Sequence, residues 1–215
     1  MLLCVLAAGC VALPKQDAVD HLALAADALE QGDDRTATVY LSAHLYDNPD
    51  EAMTRAQLAE LLFNQERYAE AKSEFEQFVA TAQPMTGLPH RQLLQAHTRL
   101  MRIAEATHDD YAESLHRGIG LLFLVQTWDG DPSRRDEAVA NETLAKAVKA
   151  LRAARTARPG DARANWYLAT AYTRMGQPSA ARAAWTCLEA AAPIGLTPWE
   201  AEQVAKNPRT VMRGL

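Results

Sequence analysis

The chain has 215 residues, of which 48% are hydrophobic and 23% are charged, a composition that argues against disorder. Residues 1–110 hold 8 Lys and Arg against 17 Asp and Glu, residues 111–215 hold 14 against 10, and the formal net charge is −5. Because nucleic-acid binders usually carry a concentrated basic surface, this balance argues against a nucleic-acid partner.

The first ten residues, MLLCVLAAGC, are an apolar run that ends in small residues immediately before Cys10. The run resembles a bacterial lipoprotein signal, which implies a signal over residues 1–10, acylation of Cys10 and a linker over residues 11–16. The resemblance implies a lipid-anchored protein of a bacterial cell envelope, in the outer membrane or facing the periplasm. The alternative is an apolar cap on the first helix, or a frayed end, in a cytoplasmic protein. No other apolar run approaches the ~20 residues of a transmembrane helix, so we expect membrane contact through the lipid alone.

Breaks rich in Gly, Pro, Asn and Asp divide the rest of the chain into intervals of about 12–25 residues, the length of single helices. None of these intervals alternates in the way that a β-strand does. The pattern therefore predicts an all-α protein of about 9–10 helices. The last helix has a clear start in Thr197-Pro198-Trp199-Glu200, where Thr197 caps the helix and Glu200 completes a capping box.

Large and small apolar residues recur 34 residues apart in the first half of the chain. Leu24 and Ala25 return as Leu58 and Ala59, Ala37 returns as Ala71, and Leu41 returns as Phe75. The same order of residues occurs in ANWYLATAYTRMGQPSAARAAW, at residues 164–185. The pattern resembles the tetratricopeptide repeat, a helix–turn–helix unit of 34 residues. The resemblance implies an α-solenoid of stacked antiparallel helical hairpins.

Two alanines mark the predicted contact within the last hairpin. Antiparallel helices approach closely only where the facing side chains are small, and Ala169 and Ala181 are small residues among large ones. The resemblance places two units over 17–84, an irregular helical middle over 85–161, one unit over 162–195, and a capping helix with a tail over 196–215. In the middle, 111–128 and 137–157 resemble a degenerate unit around a loop at 129–136, and a helix at 90–107 has no assigned pairing.

The family resemblance also implies a binding groove. In tetratricopeptide proteins, four positions on the first helix of each unit face the groove. The last unit has Arg163, Tyr167, Thr170 and Arg174 there, and the second unit has Met53, Gln57, Glu60 and Asn64. Arg and Tyr often carry interface energy, and guanidinium groups bind carboxylates. The predicted function is therefore a protein-interaction scaffold or peptide-binding adaptor, without enzymatic activity or a cofactor, whose partner is another protein or an extended, acidic peptide segment.

The alternative is a helical metal-binding or enzymatic protein that uses His97, Glu113 and His116. Glu113 and His116 have the spacing that places two ligands on one face of a helix, but a carboxylate di-iron bundle needs a second such pair. Neither GxSxG nor HExxH occurs, and helix packing explains the glycines of Gly118-Ile-Gly120 better than a phosphate loop does. Cys187 is predicted to be a small buried residue. The sequence therefore predicts no catalytic residue and no metal site.

Overall fold

A computed structural model describes residues 19–85, 90–129, 136–191 and 195–206 of the chain. The ten helices in these ranges are α1 (His21–Glu30), α2 (Asp34–Asp47), α3 (Ala52–Asn64), α4 (Tyr68–Ala82), α5 (His90–Ala106), α6 (Asp110–Asp129), α7 (Glu137–Ala157), α8 (Ala162–Arg174), α9 (Pro178–Ala190) and α10 (Pro198–Lys206). The described part of the chain contains no strand, which confirms the all-α prediction. None of its helices combines the length and the apolar character that crossing a membrane requires.

Four hairpins of the fold share one turn geometry. The hairpins are α1 with α2, α3 with α4, α5 with α6, and α8 with α9. The residues of positive φ in their turns are Gly32 at 72°, Glu66 at 58°, His108 at 56° and Gly176 at 64°. In each turn, the N–H of the next residue donates to the carbonyl five residues before it, as in a Schellman motif. The fold is an α-solenoid of stacked helical hairpins, as the tetratricopeptide pattern predicts.

Helix α6 is shared between two neighbours, α5 and α7, and packs closely against both. A Cβ atom at Gly118 would lie only 2.5 Å from Cγ of Leu151 in α7. A Cβ atom at Gly120 would lie 3.6 Å from Cβ of His97 in α5. The two glycines therefore serve helix packing, as predicted. The sequence left α5 unpaired, and the structure pairs it with α6 through the common turn.

The apolar core runs through the stack, and the side chains of Phe75 and Phe78 are each only 1% exposed. Ala169 and Ala181 are each 0% exposed, which confirms their predicted place in the core of the last hairpin. The prediction that Cys187 is buried is wrong, because its side chain is exposed. The reason is the helical period: Cys187 lies two residues beyond the buried Trp185 and points to the other side of α9.

Replacing either contact alanine by leucine should overpack the last hairpin. We expect Ala169→Leu or Ala181→Leu to lower the free energy of unfolding by about 1–3 kcal/mol, because neither site has room for three further carbons. Ala183→Leu is the matched control, because Ala183 is exposed on the same helix as Ala181. Urea unfolding followed by circular dichroism measures all three. Equal losses in the three variants would contradict the assigned contact.

Candidate protein-binding surfaces

The structure separates the four groove residues that the sequence predicts on α8. The side chain of Arg163 is 12% exposed, and Tyr167 is 5% exposed. At the far end of α8, the Arg174 guanidinium binds a carboxylate oxygen of Asp129 at 2.8 Å. Thr170 lies between them, and its hydroxyl donates to the carbonyl of Trp166 at 3.0 Å. The two arginines are therefore parts of different polar clusters, about 16 Å apart along the helix.

A buried carboxylate from α10 lies against Arg163 and Tyr167. Three groups donate hydrogen bonds to Oε1 of Glu200: the Tyr167 hydroxyl at 2.8 Å, Nε of Arg163 at 3.0 Å, and Nε2 of Gln83 at 3.3 Å. Gln83 also donates to the Tyr167 oxygen at 3.0 Å. Glu200 itself is 0% exposed. We call Gln83, Arg163 and Tyr167 the carboxylate site.

The predicted capping box at the start of α10 is confirmed, and it presents Glu200 to this site. The backbone N–H of Thr197 donates to Oε2 of Glu200 at 2.8 Å, and the N–H of Glu200 donates to the Thr197 hydroxyl at 3.2 Å. The same hydroxyl donates to Oε1 of Gln83 at 3.0 Å. One carboxylate oxygen therefore closes the helix terminus. The other oxygen meets the three donors of the carboxylate site.

The electrostatics of the carboxylate site favour an anion. Burial is the largest single influence on the pKa of Arg163 and works to lower it. The electrostatic interactions with Glu200 and with Tyr167 and the hydrogen bond to Glu200 together outweigh burial, so the pKa lies above its ordinary value. Burial, and then the charge of Glu200, raise the pKa of Tyr167 well above its ordinary value. The guanidinium therefore stays charged and the phenol stays protonated, so both groups donate to a carboxylate.

A second surface lies between α3 and α5, where the structure forms an open groove with a volume of about 430 Å³. Its lining residues are Met53, Thr54, Ala56, Gln57, Glu60, Phe75, Phe78, Gln92, Gln95 and Ala96. We call it the α3/α5 groove. Gln57 and Glu60 line it as the predicted groove positions, whereas Asn64 is exposed outside its lining. Sequence reasoning missed the contribution of α5, because that helix had no assigned pairing.

The one charged residue of the α3/α5 groove is neutralised within the fold. Arg99 of α5 donates from Nε to both oxygens of Glu60, at 3.1 and 3.0 Å, and its guanidinium lies 4.6 Å from the ring centroid of Phe63. Gln95 adds a hydrogen bond to Glu60 at 2.9 Å. What remains open to a ligand is the exposed side chain of Met53 above a buried apolar floor, with an amide-rich rim.

The histidines of the metal-binding alternative form a buried pair. Nδ1 of His97 and Nδ1 of His116 are 3.0 Å apart, and His97 stacks on Phe123 with ring centroids 5.4 Å apart. Burial lowers the pKa of His116 to about 3 and lowers the pKa of His97 well below its ordinary value. Glu113 instead binds Arg117 at 2.5 Å.

The described residues contain no group of three or more His, Cys, Asp and Glu side chains that could hold a metal ion. The geometry of the three proposed ligands explains why. The two imidazoles bond to each other inside the core, whereas the Glu113 carboxylate is occupied by a guanidinium of its own helix. The metal-binding or enzymatic alternative is therefore not favoured.

No family model matches the sequence, and no curated protein matches it. Among solved structures, the chain is similar to the crystal structure of the MamA protein, with 15% identity, 87% of this chain and 93% of that chain covered, and a TM-score of 0.40. YrrB, described as a TPR protein with an unusual peptide-binding site, has 15% identity, 87% and 92% coverage and a TM-score of 0.38. The TPR domain of P58(IPK) has 11% identity, 90% and 65% coverage and a TM-score of 0.31. Similarities at this level concern the helical fold alone.

Proposed function

We propose that the chain is a protein-interaction scaffold or peptide-binding adaptor, and that the α3/α5 groove is one of its binding surfaces. The observation that carries this proposal is the chemistry of the groove. Its floor includes the buried rings of Phe75 and Phe78, and its rim carries exposed amide side chains. An apolar floor with a few placed polar groups is the usual composition of a ligand site.

The amides of the rim suit the backbone of an extended peptide. Each Gln side chain has a carbonyl acceptor and an NH₂ donor, the same two functions that a peptide group carries. Gln57 and Gln95 are exposed at the rim. The exposed amides can therefore bond to the N–H and C=O groups of an extended peptide.

Quantitative capture of partners tests this function. The tagged full chain is expressed in its native host, and captured proteins are compared between wild type and Gln57→Ala/Gln95→Ala by mass spectrometry. We expect at least one protein to be depleted roughly tenfold by the double substitution, which corresponds to about 1.4 kcal/mol. Thr186→Ala/Glu189→Ala is the matched control, because both residues are exposed on α9. Identical captured sets from all three chains would contradict the α3/α5 groove as a binding surface.

We further propose that the chain acts in a bacterial cell envelope, attached by a lipid on Cys10. The support is the LAAGC run of the sequence, and Cys10 lies outside the described residues. If Cys10 is acylated, the native protein begins at this cysteine and carries the added mass of the lipid. Mass spectrometry of the native protein and fractionation of Cys10→Ser measure this, with Cys4→Ser as the matched control. We expect only Cys10→Ser to leave the membrane fraction, and an unmodified native chain that retains Met1 would contradict the anchor.

A further inference from the structure

The carboxylate site shows which chemistry the α8 end of the solenoid recognises. We propose that α10 is an internal ligand of this site, and that an acidic segment of a partner protein binds there by displacing Glu200. The proposal rests on the proposed function, because it assigns a partner to a second surface of the same scaffold. It concerns residues of α4, α8 and α10, none of which forms the amide rim of the α3/α5 groove.

The carboxylate site is a built receptor rather than a surface charge. Its donors come from two helices that are distant in sequence, with Gln83 at the end of α4 and Arg163 and Tyr167 on α8. All three converge on a single oxygen atom of Glu200. A largely buried guanidinium, such as that of Arg163, is disfavoured without an opposite charge. Once Glu200 leaves, the site therefore favours another carboxylate.

The polar attachment of α10 is concentrated in its first turn, and Val204 adds a partly buried apolar contact further along the helix. In the first turn Glu200 is fully buried, and the neighbouring Trp199 meets Trp166 edge-on with ring centroids 6.0 Å apart. Near the end of the helix, Lys206 binds Glu202 of the same helix, and both side chains are more than half exposed. α10 has only nine residues, and isolated helices of that length are marginal in water. It can therefore leave, and unfold, without breaking any hairpin.

The geometry of the internal ligand defines the segment that replaces it. A cavity of about 290 Å³ lies beside Arg163, between α4, α5 and the residues that precede α10. Because the capping box uses Oε2 and leaves Oε1 for the site, the carboxylate is presented from the start of a helix. The partner segment thus has a capping Ser or Thr followed three residues later by Glu, as in Thr197-Pro198-Trp199-Glu200.

A peptide with the sequence of residues 195–206, GLTPWEAEQVAK, is the probe for this site. The peptide carries a fluorophore, and its anisotropy is measured while the full wild-type chain or Glu200→Gln is added, up to about 1 mM. This range is needed because the tethered α10 competes with the peptide at roughly millimolar effective concentration. We expect the peptide to bind Glu200→Gln at least roughly tenfold more tightly than wild type. Glu202→Gln is the matched control, because Glu202 is exposed on the same helix, and we expect it to bind like wild type.

The carboxylate dependence is tested with a second peptide, in which glutamine replaces the residue equivalent to Glu200. We expect this peptide not to bind, and we expect Arg163→Met in the Glu200→Gln background to abolish binding of the first peptide. Equal binding to wild type and Glu200→Gln, no binding to either chain, or equal binding of both peptides would overturn the proposal. A wild-type dimer that Glu200→Gln dissociates in sedimentation would assign the site to a second copy and also overturn it.

Hydrogen exchange of the two chains checks that α10 leaves without damage to the stack. In Glu200→Gln we expect the amides of residues 199–206 to exchange at least roughly tenfold faster, with α8 and α9 unchanged. Loss of protection across α8 and α9 as well would overturn the displacement. The outcome is separable from the proposed function: a failed peptide experiment leaves the Gln57→Ala/Gln95→Ala capture result intact, and the reverse also holds.

Discussion

Lowering the pH from 7.5 to about 4.5 should destabilise the chain by several kcal/mol, while most carboxylates are still ionised. The cause is the pair of His97 and His116, which the fold keeps buried and uncharged between α5 and α6. Burial, and then the positive charges of Arg163 and Lys72, lower the pKa of His116 to about 3. The pKa of His97 is lowered by burial, by His116 and by Arg163.

The sign follows from proton uptake. In the unfolded chain a histidine takes up a proton near pH 6.5, whereas folded His116 does so only near pH 3. The stabilisation is complete above pH 6.5 and is lost as the pH falls toward 3, because the unfolded state then binds more protons. His116 alone should contribute about 1.4 kcal/mol per pH unit, or about 5 kcal/mol across this window. His97 adds to the slope in the same direction.

Urea unfolding between pH 7.5 and about 4.5 measures the slope while carboxylates are still largely ionised. In His97→Asn/His116→Asn we expect the slope to be much reduced, because the asparagine amide can take the place of Nδ1 and does not titrate. His108→Asn is the control, because His108 is exposed and asparagine tolerates its positive φ of 56°. A free energy of unfolding that is flat over this range in wild type would contradict the buried neutral pair.

Gly118→Ala should lower the free energy of unfolding by about 3 kcal/mol, at the upper end of what overpacking usually costs. The new Cβ would lie 2.5 Å from Cγ and 2.9 Å from Cδ2 of Leu151, and 3.2 Å from the carbonyl oxygen of Ala147. Leu151 is 0% exposed, so its side chain has nowhere to move. The contact between α6 and α7 must therefore open.

Gly120→Ala provides a control of opposite sign two residues further along the same helix. Its Cβ would be 3.6 Å from Cβ of His97, an ordinary contact distance. Alanine is better than glycine inside a helix by about 0.5–1 kcal/mol, so we expect this variant to be more stable than wild type. Urea unfolding of both variants measures the two effects. Equal losses of unfolding free energy in the two variants would contradict the assignment of Gly118 to the tight α7 contact and of Gly120 to the looser α5 contact.

The hairpins at both ends of the chain are predictable because their signals are local. Gly32 and Gly176 occupy the left-handed position of their turns, and small residues mark the helix contacts. The sequence predicts a break between α5 and α6 but not their pairing, because α5 lies outside the 34-residue pattern. The hydrogen bond between Gln83 and Glu200 could not be predicted from the sequence, because the two residues are 117 positions apart. Local capping rules predict that Glu200 closes the start of α10. They do not predict which groups bind its second carboxylate oxygen.

The contact between His97 and His116 also could not be predicted from local sequence. Their sequence spacing places His116 and Glu113 on neighbouring positions of one helix, which fits metal ligation as well as packing. Whether His116 binds a metal or packs in the core depends on which α5 residue faces it, and that residue is His97. Since α5 had no assigned pairing, the hydrogen bond between two imidazoles could not be derived from the sequence.

In the function we propose, the chain binds another protein through the α3/α5 groove. Site-specific photo-crosslinking in the native host tests this binding, with a benzophenone amino acid placed in turn at Gln57, Gln95 and, on the exposed side of α9, Thr186. We predict that the same protein is crosslinked from Gln57 and Gln95 and not from Thr186. Crosslinks confined to Thr186, or different proteins captured from Gln57 and Gln95, would contradict the claim.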